Sequence, residues 1–341
     1  MKVTTRIVEL ELAETFTISR STQDVAEVVQ VELGYDDQRG FGEAAPTEHY
    51  GESAASAEAF VEQHADLLGN DPFALAEIEA RLGQLPGEQA AKAALDAALH
   101  DLQGKLLGLP VWRLLGLTRD GPPTSYTVIL ADPDEMARRA ERNAKRFRRL
   151  KLKLGGRDGL DLDRVSAVRA ATDLPLQVDA NEAWSLDEAL ETLPVLADLD
   201  VEYCEQPLPA GDPGGAELKR RSPLPIYVDE DCHTLADVAA CAERGHGINI
   251  KLAKSGGIRE AVRMVHAARA LGLGVMLGCM LESGLGIAAG AQIASLCDHV
   301  DLDGNLLLRH DPWSGVEFVD GRQLPANDPG LGVREALPHT G

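Results

Sequence analysis

The run Leu150-Lys151-Leu152-Lys153-Leu154 reads as a short buried strand that closes on charge, and Ile248-Asn249-Ile250-Lys251-Leu252 repeats its grammar far downstream. Three more apolar runs lie between them, and each closes on acid. They are Val178-Asp179-Ala180-Asn181, Tyr203-Cys204-Glu205-Gln206-Pro207 and Tyr227-Val228-Asp229-Glu230-Asp231. The spacing is one strand plus one helix of a parallel barrel, whose strand ends converge on a pocket at the C-terminal face. Lysine, acid, acid, acid, lysine in that order imply a divalent cation held between two lysines. Such a pocket suits the removal of a proton from carbon beside a carboxylate.

Working outward, apolar β-type runs at 126–130, 150–154, 176–179, 201–205, 226–229, 248–252, 275–280 and 299–303 alternate with helical patterns such as 132–148, 185–199, 235–244 and 258–271. Eight strands with helical crossovers predict an α/β fold, a modified (β/α)8 TIM-type barrel over residues 119–321. A doubly wound open sheet is the rival, but no Gly-rich phosphate loop follows the first strand. Gly155-Gly156 and Gly256-Gly257 read as turn glycines after strands. Upstream, 3–12 and 25–34 alternate apolar with polar as half-buried strands do, the polar segment 15–24 between them reads as a turn, and a short strand follows at Phe41-Gly42-Glu43. Helical patterns at 53–68, 72–82 and 88–107 complete an N-terminal α+β capping domain, residues 1–118, with Ser53 as N-cap and Gly83 and Gly108 as stops. The Pro-bearing tail, about 322–341, is expected to return to that cap.

A net charge of −22 excludes the clustered cations that a nucleic-acid or anionic-membrane partner demands. Aromatics are only 4% of residues, so the core falls to Leu, Val, Ile and Ala. The basic stretch from Arg138 to Arg149 alternates with Ala and Phe147 and reads as a solvated helix face. The N-terminus lacks the apolar segment of a signal peptide, and no run is long enough to span a bilayer. Cys204, Cys232, Cys241, Cys279 and Cys297 form no C-x-x-C pair, which suits free thiols in a reducing compartment. A cytoplasmic protein is expected.

Asp179, Glu205 and Asp229 sit at successive strand ends, where three carboxylates repel one another unless a cation neutralises them. Oxygen ligands without His or Cys suit Mg²⁺ or Mn²⁺; singly, each acid would serve as well to solvate a rim or cap a helix. Lys153 and Lys251 close strands on opposite sides of the mouth. A lysine acts as a base when burial and neighbouring cations depress its pKa, and Lys151, on the same strand face as Lys153, would contribute that charge or steady an enolate oxygen. Lys254 competes with Lys251 for its role but falls beyond the strand. Asp301 and Asp303 share one face of the eighth strand end and make a receptor for an ammonium group.

Lys-x-Lys at 151–153, Asp-Ala-Asn at 179–181, Glu-Gln-Pro at 205–207, Asp-Glu at 229–230 and Asn-Ile-Lys at 249–251 together resemble the enolase superfamily, within it the muconate-lactonising-enzyme subgroup, over nearly the whole chain. The resemblance implies that Asp179, Glu205 and Asp229 bind Mg²⁺ while Lys153 and Lys251 face opposite sides of a substrate α-carbon. One lysine then takes the α-proton to give an enediolate and the other returns a proton to the far face. The Asp301–Asp303 pair resembles the Asp-x-Asp motif of dipeptide epimerases, where it holds the substrate ammonium. An N-acyl amino acid racemase or o-succinylbenzoate synthase shares the lysines without needing that pair. A lactonising cycloisomerase, or a non-catalytic barrel binding amino-acid derivatives, is a further alternative. The loop 16–22 is expected to close over the pocket, with Arg20 either pairing with an acidic side chain or standing free in solvent; some relatives carry that arginine one residue later, where this chain has Ser21. Tyr50-Gly51-Glu52 marks a second cap loop. Thr127 and Met280 are expected to line the pocket, with Glu282 at its rim. Such barrels often form homo-oligomers.

Overall fold

A computed structural model of the chain describes residues 1–336; the last part of the expected tail, residues 337–341, lies outside the described residues. The N-terminal unit is an antiparallel sheet, β1 (Lys2–Ile18), β2 (Ser21–Tyr35) and β3 (Gln38–Ala44), in that spatial order. Segment 15–24, read from sequence as a turn, instead continues both strands: Phe16 pairs with Gln23, Thr17 with Thr22 and Ile18 with Ser21. The β-branched and aromatic residues of that segment favour the pleat, so the chain reverses only at Ser19 and Arg20. A register shift between Glu11 and Phe16 bends the ribbon. Its far end thereby becomes a projecting hairpin tip.

Three helices, Ala54–His64, Leu75–Leu82 and Gln89–Leu107, cover the sheet. Ser53 does cap the first, exchanging hydrogen bonds with Ser56, and Gly108 ends the last in the left-handed conformation. The alanine-rich composition of Gln89–Leu107 has a packing cause. A Cβ on Gly42 of β3 would lie 2.0 Å from the Ala94 carbonyl oxygen, and one on Gly40 would lie 2.2 Å from that of Ala98. Helix and sheet therefore meet backbone to backbone, around a core that includes Leu10, Val29, Leu95 and Leu102.

Eight parallel strands follow: β4 (Tyr126–Val128), β5 (Leu150–Lys153), β6 (Leu176–Asp179), β7 (Val201–Glu205), β8 (Ile226–Val228), β9 (Gly247–Lys251), β10 (Gly274–Gly278) and β11 (His299–Asp301). They are hydrogen-bonded in sequence order, and a parallel bridge from Thr124 to Val300 joins the last strand to the first. The barrel is closed. Leu150, Leu152, Val178 and Cys204 pack outward on the first helices, and Ile248, Ile250, Val275 and Leu277 pack on the later ones. Because side chains alternate, the other residues face the barrel axis, where Tyr203, Tyr227 and Met276 plug the floor.

The cap helix Gln89–Leu107 docks on the barrel through Asp96, which accepts the amide of Ile258 at 2.6 Å. A Cβ on Gly257 would stand 2.5 Å from that carboxylate, so the glycine pair Gly256-Gly257 serves close approach as well as the turn. From the tail, Leu331 donates its amide to Asp101 of the same cap helix at 2.8 Å.

Candidate active site

Alternation along the strands sets Lys151 and Lys153 of β5, Asp179 of β6, Glu205 of β7 and Lys251 of β9 on the inner wall, with Asp229 just past β8. In a ring of eight, β5 and β9 are diametrically opposed. Lys153 and Lys251 therefore face each other across the mouth. Gly278 of β10 pairs with Lys251, and a Cβ there would lie 3.1 Å from the lysine Cε and under 3 Å from the Asn249 amide. A side chain at 278 would crowd the lysine.

Each buried lysine of the barrel mouth is matched to a carboxylate. Lys153 Nζ lies 2.6 Å from Asp179 Oδ2, and Lys251 Nζ lies 2.8 Å from Asp229 Oδ2. Lys151, at 1% exposure, stands 2.8 Å from Asp301, 2.7 Å from Glu205 and 3.3 Å from Asp179. Burial opposes the charge of Lys151, but Asp301, Glu205 and Asp179 outweigh it and raise its pKa well above the lysine range. Burial likewise opposes Lys251, whose pKa Asp229 raises. The sequence reading asked for lysines lowered by neighbouring cations; in this arrangement the adjacent carboxylates raise Lys151 and Lys251 instead. Among the acids, burial would raise Asp179, yet Lys153 and Lys151 bring it down to about 2. Asp229 falls well below the usual range against its burial, drawn by Lys251 and Lys254. Glu205 goes the other way, to about 7, because burial and the charge of Asp179 prevail over Lys151.

Lys254 is a structural cation. The short helical turn Leu252–Ser255 carries it inward, where its ammonium donates to an Asp229 carboxylate oxygen and to the carbonyls of Asp229 (2.6 Å), Cys232 (2.9 Å) and Asn249 (3.2 Å). Four oxygens around one ammonium fix Asp229 from behind. Asn249 donates to Glu205 Oε1 at 2.7 Å, and the Gln206 side chain accepts the Asp229 amide at 2.8 Å. Both lie inside the quoted motifs, and Asn249 is two residues before Lys251 on the same strand face, a signal that alternation offers but that the sequence reading left without a role.

The pocket above this ring is a cavity of about 940 Å³ lined by Lys151, Lys153, Lys251, Thr127, Met280 and Asp301, among others. Asp301 accepts from Lys151 at Oδ2, while its Oδ1, buried, has no hydrogen-bond partner. Asp303 accepts the Thr127 amide at 2.6 Å, and burial together with Asp301 pushes it up to about 7. Glu282 is buried rather than at the rim: it folds back to accept the Met280 amide at 2.9 Å, and desolvation pushes it to about 8.

The cap closes the mouth. Thr17 accepts the Leu130 amide at 3.0 Å, and Ser19 donates to the Asn181 carbonyl at 3.1 Å. Arg20 Nη1 lies 2.8 Å from Glu230 Oε1 and 3.5 Å from Glu182 Oε2, while His49 Nε2 lies 3.1 Å from Glu182. The ligand atoms of His49, Glu182 and Glu230 fall within 4.8 Å of one another, with the Arg20 guanidinium beside them. His49, Glu182 and the burial of Glu230 were missed because nothing in sequence links two cap loops to the turns after β6 and β8.

The chain matches two family models: Mandelate racemase / muconate lactonizing enzyme, N-terminal domain, over residues 1–116, and Enolase C-terminal domain-like over residues 135–335. It belongs to the mandelate racemase / muconate lactonizing enzyme family. It is 40% identical over 338 residues to the L-Ala-D/L-Glu epimerase of Bacteroides thetaiotaomicron, covering 98% of this chain and 88% of the relative. It is 39% identical to the hydrophobic dipeptide epimerase of Roseobacter litoralis, covering 97% and 98%. A dipeptide epimerase from Enterococcus faecalis V583, solved with Mg and the dipeptide L-Leu-L-Tyr, superposes with a TM-score of 0.93 at 32% identity and covers 97% of this chain and 98% of that one.

Membership in this family raises the question of a cation, and the residues fit one. Asp179, Glu205 and Asp229 offer hard oxygens from adjacent walls, with no thiolate or imidazole among them. Glu205 Oε2, although 2.7 Å from Lys151, is out of line for a hydrogen bond, so a fully buried carboxylate oxygen lacks a directed partner. Burial, helped by the charges of Asp179 and Asp229, pushes Glu205 toward neutrality, and a divalent cation would offset both.

Proposed function

We propose that this chain is a Mg²⁺-dependent dipeptide epimerase that inverts the α-carbon of the substrate's C-terminal residue. The observation that carries the proposal is the pair of lysines on opposite walls of one barrel mouth, next to a buried aspartate oxygen that lacks a partner. Two opposed ammonium-bearing side chains serve inversion, since a proton must leave one face and return to the other. Asp301 and Asp303 lie on the wall beside them and offer negative charge to a substrate ammonium.

The chain's own groups divide the work as follows. Asp179, Glu205 and Asp229 would hold Mg²⁺, or Mn²⁺ in the same oxygen set, with Asn249, Gln206 and Lys254 fixing two of the three carboxylates from behind. Mg²⁺ in that position supplies positive charge that steadies the second negative charge of the enediolate. Of Lys153 and Lys251, the one on the side of the α-hydrogen takes that proton as a neutral amine, while the other is an ammonium. The lysine opposite donates. Lys151 sits between Glu205 and Asp301 and keeps both acids oriented. Thr127 holds Asp303 through its amide, and Met280 closes the side of the cavity. Five free cysteines, four of them buried, support a reducing, cytoplasmic setting. Among the described residues no helix is long and apolar enough to cross a membrane.

Proton exchange in D₂O tests the proposal. Mixed L,L-dipeptides with Mg²⁺ should gain one deuterium at the C-terminal α-carbon and yield the L,D product, and chelator should stop both. Exchange confined to N-acetyl or N-succinyl amino acids would replace the dipeptide reading with an N-acyl amino acid racemase.

A further inference from the structure

We infer that Arg20 is a fastener that holds the hairpin tip across the barrel mouth, so that the pocket offers an acidic substrate side chain no free cation. The inference rests on the dipeptide reading above. It concerns how the pocket shuts and which side chains it accepts.

The tip touches the loops after four barrel strands. Thr17 bonds the turn after β4 through Leu130, and Ser19 packs on Gly155 after β5, where an added Cβ would meet it at 3.1 Å. Ser19 and Arg20 reach Asn181 and Glu182 after β6, and Arg20 reaches Glu230 after β8. The Glu230 side chain is 1% exposed; Arg20 forms an ion pair with its Oε1 at 2.8 Å, and neither carboxylate oxygen has a directed hydrogen-bond partner. A buried carboxylate in that state needs the guanidinium more than a passing ligand does. Asn181 and Glu182 both hold positive φ, at 44° and 67°, which turns the Asn181 carbonyl toward the tip. The same turn donates the Asn181 amide to Asp179 at 2.9 Å, and Glu230 directly follows Asp229. The fastener thus grips the segments that carry two of the three acids.

Charge along the cavity follows the same logic. Lys151, Lys153, Lys251, His49 and Arg20 all line it, and each already faces a carboxylate. On the cap wall Glu9 and Glu27 stand directly opposite each other across β1 and β2, and among the described residues neither has an ion pair. Like charges in cross-strand register repel, so the outer wall is negative. Neutral and basic C-terminal side chains are favoured over acidic ones.

The experiment combines turnover with hydrogen exchange on wild type, Arg20→Gln, Arg20→Lys and Glu182→Gln. Wild type should turn over L-Ala-L-Leu and L-Ala-L-Lys with higher kcat/KM than L-Ala-L-Glu. Arg20→Gln should raise KM for all three by a common factor of about tenfold, the scale of one charge-assisted hydrogen bond, and leave kcat nearly unchanged. Arg20→Lys should recover part of that loss, and amide exchange over residues 15–24 should quicken in Arg20→Gln and, less so, in Glu182→Gln. General misfolding would lower kcat instead. A loss confined to L-Ala-L-Glu would make Arg20 a substrate receptor and overturn the inference. Unchanged exchange over residues 15–24 would overturn it as well. If wild type epimerises no dipeptide, the functional reading fails, and the exchange data still decide whether Arg20 fastens the tip.

Discussion

Replacing one lysine at a time should make the enzyme blind to one hand of its substrate. Lys153 and Lys251 stand on β5 and β9, separated by three strands either way round the ring. Their ammonium groups are anchored to different acids, Asp179 at 2.6 Å and Asp229 at 2.8 Å. Neither can serve the opposite face of a carbon held between them. Lys153→Ala should therefore stop deuterium entry from one C-terminal configuration, and Lys251→Ala from the other. A positioned general base contributes on the order of 10²–10⁴-fold, which sets the size of each loss. The spared configuration should still exchange, within about tenfold of wild type, because its own base remains and only an ion-paired neighbour has gone. Net inversion needs both lysines, so both variants should lose it from either starting epimer. The assay is mass spectrometry of the L,L and L,D forms of one dipeptide in D₂O with Mg²⁺, with circular dichroism as a check on folding. If both variants block the same epimer and spare the other, the lysines share a face and the opposed-wall argument is wrong. Inversion by either variant at more than about a tenth of the wild-type rate would refute it equally.

Three further outcomes follow from other groups. Asp301→Asn removes the charge beside Lys151 and should cut kcat/KM for free-amine dipeptides by ~10² or more; if the variant still prefers free-amine over N-acetylated substrate, the ammonium is held elsewhere. Lys254→Met leaves Asp229 without the cation behind it, and breaking a buried pair costs ~3–5 kcal/mol, readable as a lower urea midpoint at constant slope; a loss below ~1 kcal/mol would deny Lys254 its structural role. Glu282 has a folded pKa near 8 against an ordinary 4.5, so the folded protein holds a proton that the unfolded chain releases. Stability should fall as pH rises from about 5 to 8, by at most ~1.4 kcal/mol per unit from this group. Glu282→Gln should gain on wild type across that window in urea titrations, and a difference independent of pH would refute the buried neutral carboxyl.

Much of this was legible in the chain because the chemistry sits on strands. Period-two alternation places Lys151, Lys153 and Lys251 on the inner wall without reference to anything distant, and apolar runs bounded by helical patterns locate all eight barrel strands. Legibility failed where partners are far apart in sequence or where polarity misled. Segment 15–24 is polar, yet it is a ribbon whose tip leans on the barrel loops, so its polar residues find partners such as the Asn181 carbonyl. Glu282 and Lys254 looked like rim and turn residues, because sequence reports that a residue is charged but not whether a nearby carbonyl or amide has turned to meet it. Burial of a charge is a property of its partners.

That dependence also explains why a barrel mouth can carry so many ionisable groups. Lys153 with Asp179, Lys251 and Lys254 with Asp229, and Lys151 with Asp301 and Glu205 are cross-strand or near-strand matches, made possible because lysine-bearing β5 and β9 flank the three acid-bearing strands between them. Remove the flanking lysines and each charge would cost several kcal/mol to bury. The matched arrangement leaves unpartnered oxygens on Asp301 and Glu230, and a second on Glu205 that Lys151 approaches out of line. They differ in what can reach them. Asp301 opens on the cavity between the lysines, Glu205 lies among the metal-type acids, and Glu230 sits under Arg20 at the closing edge. On the function proposed, a substrate ammonium would meet the demand of Asp301, a divalent cation that of Glu205 and the Arg20 hairpin that of Glu230, which would tie binding, chemistry and closure to one ring of charge.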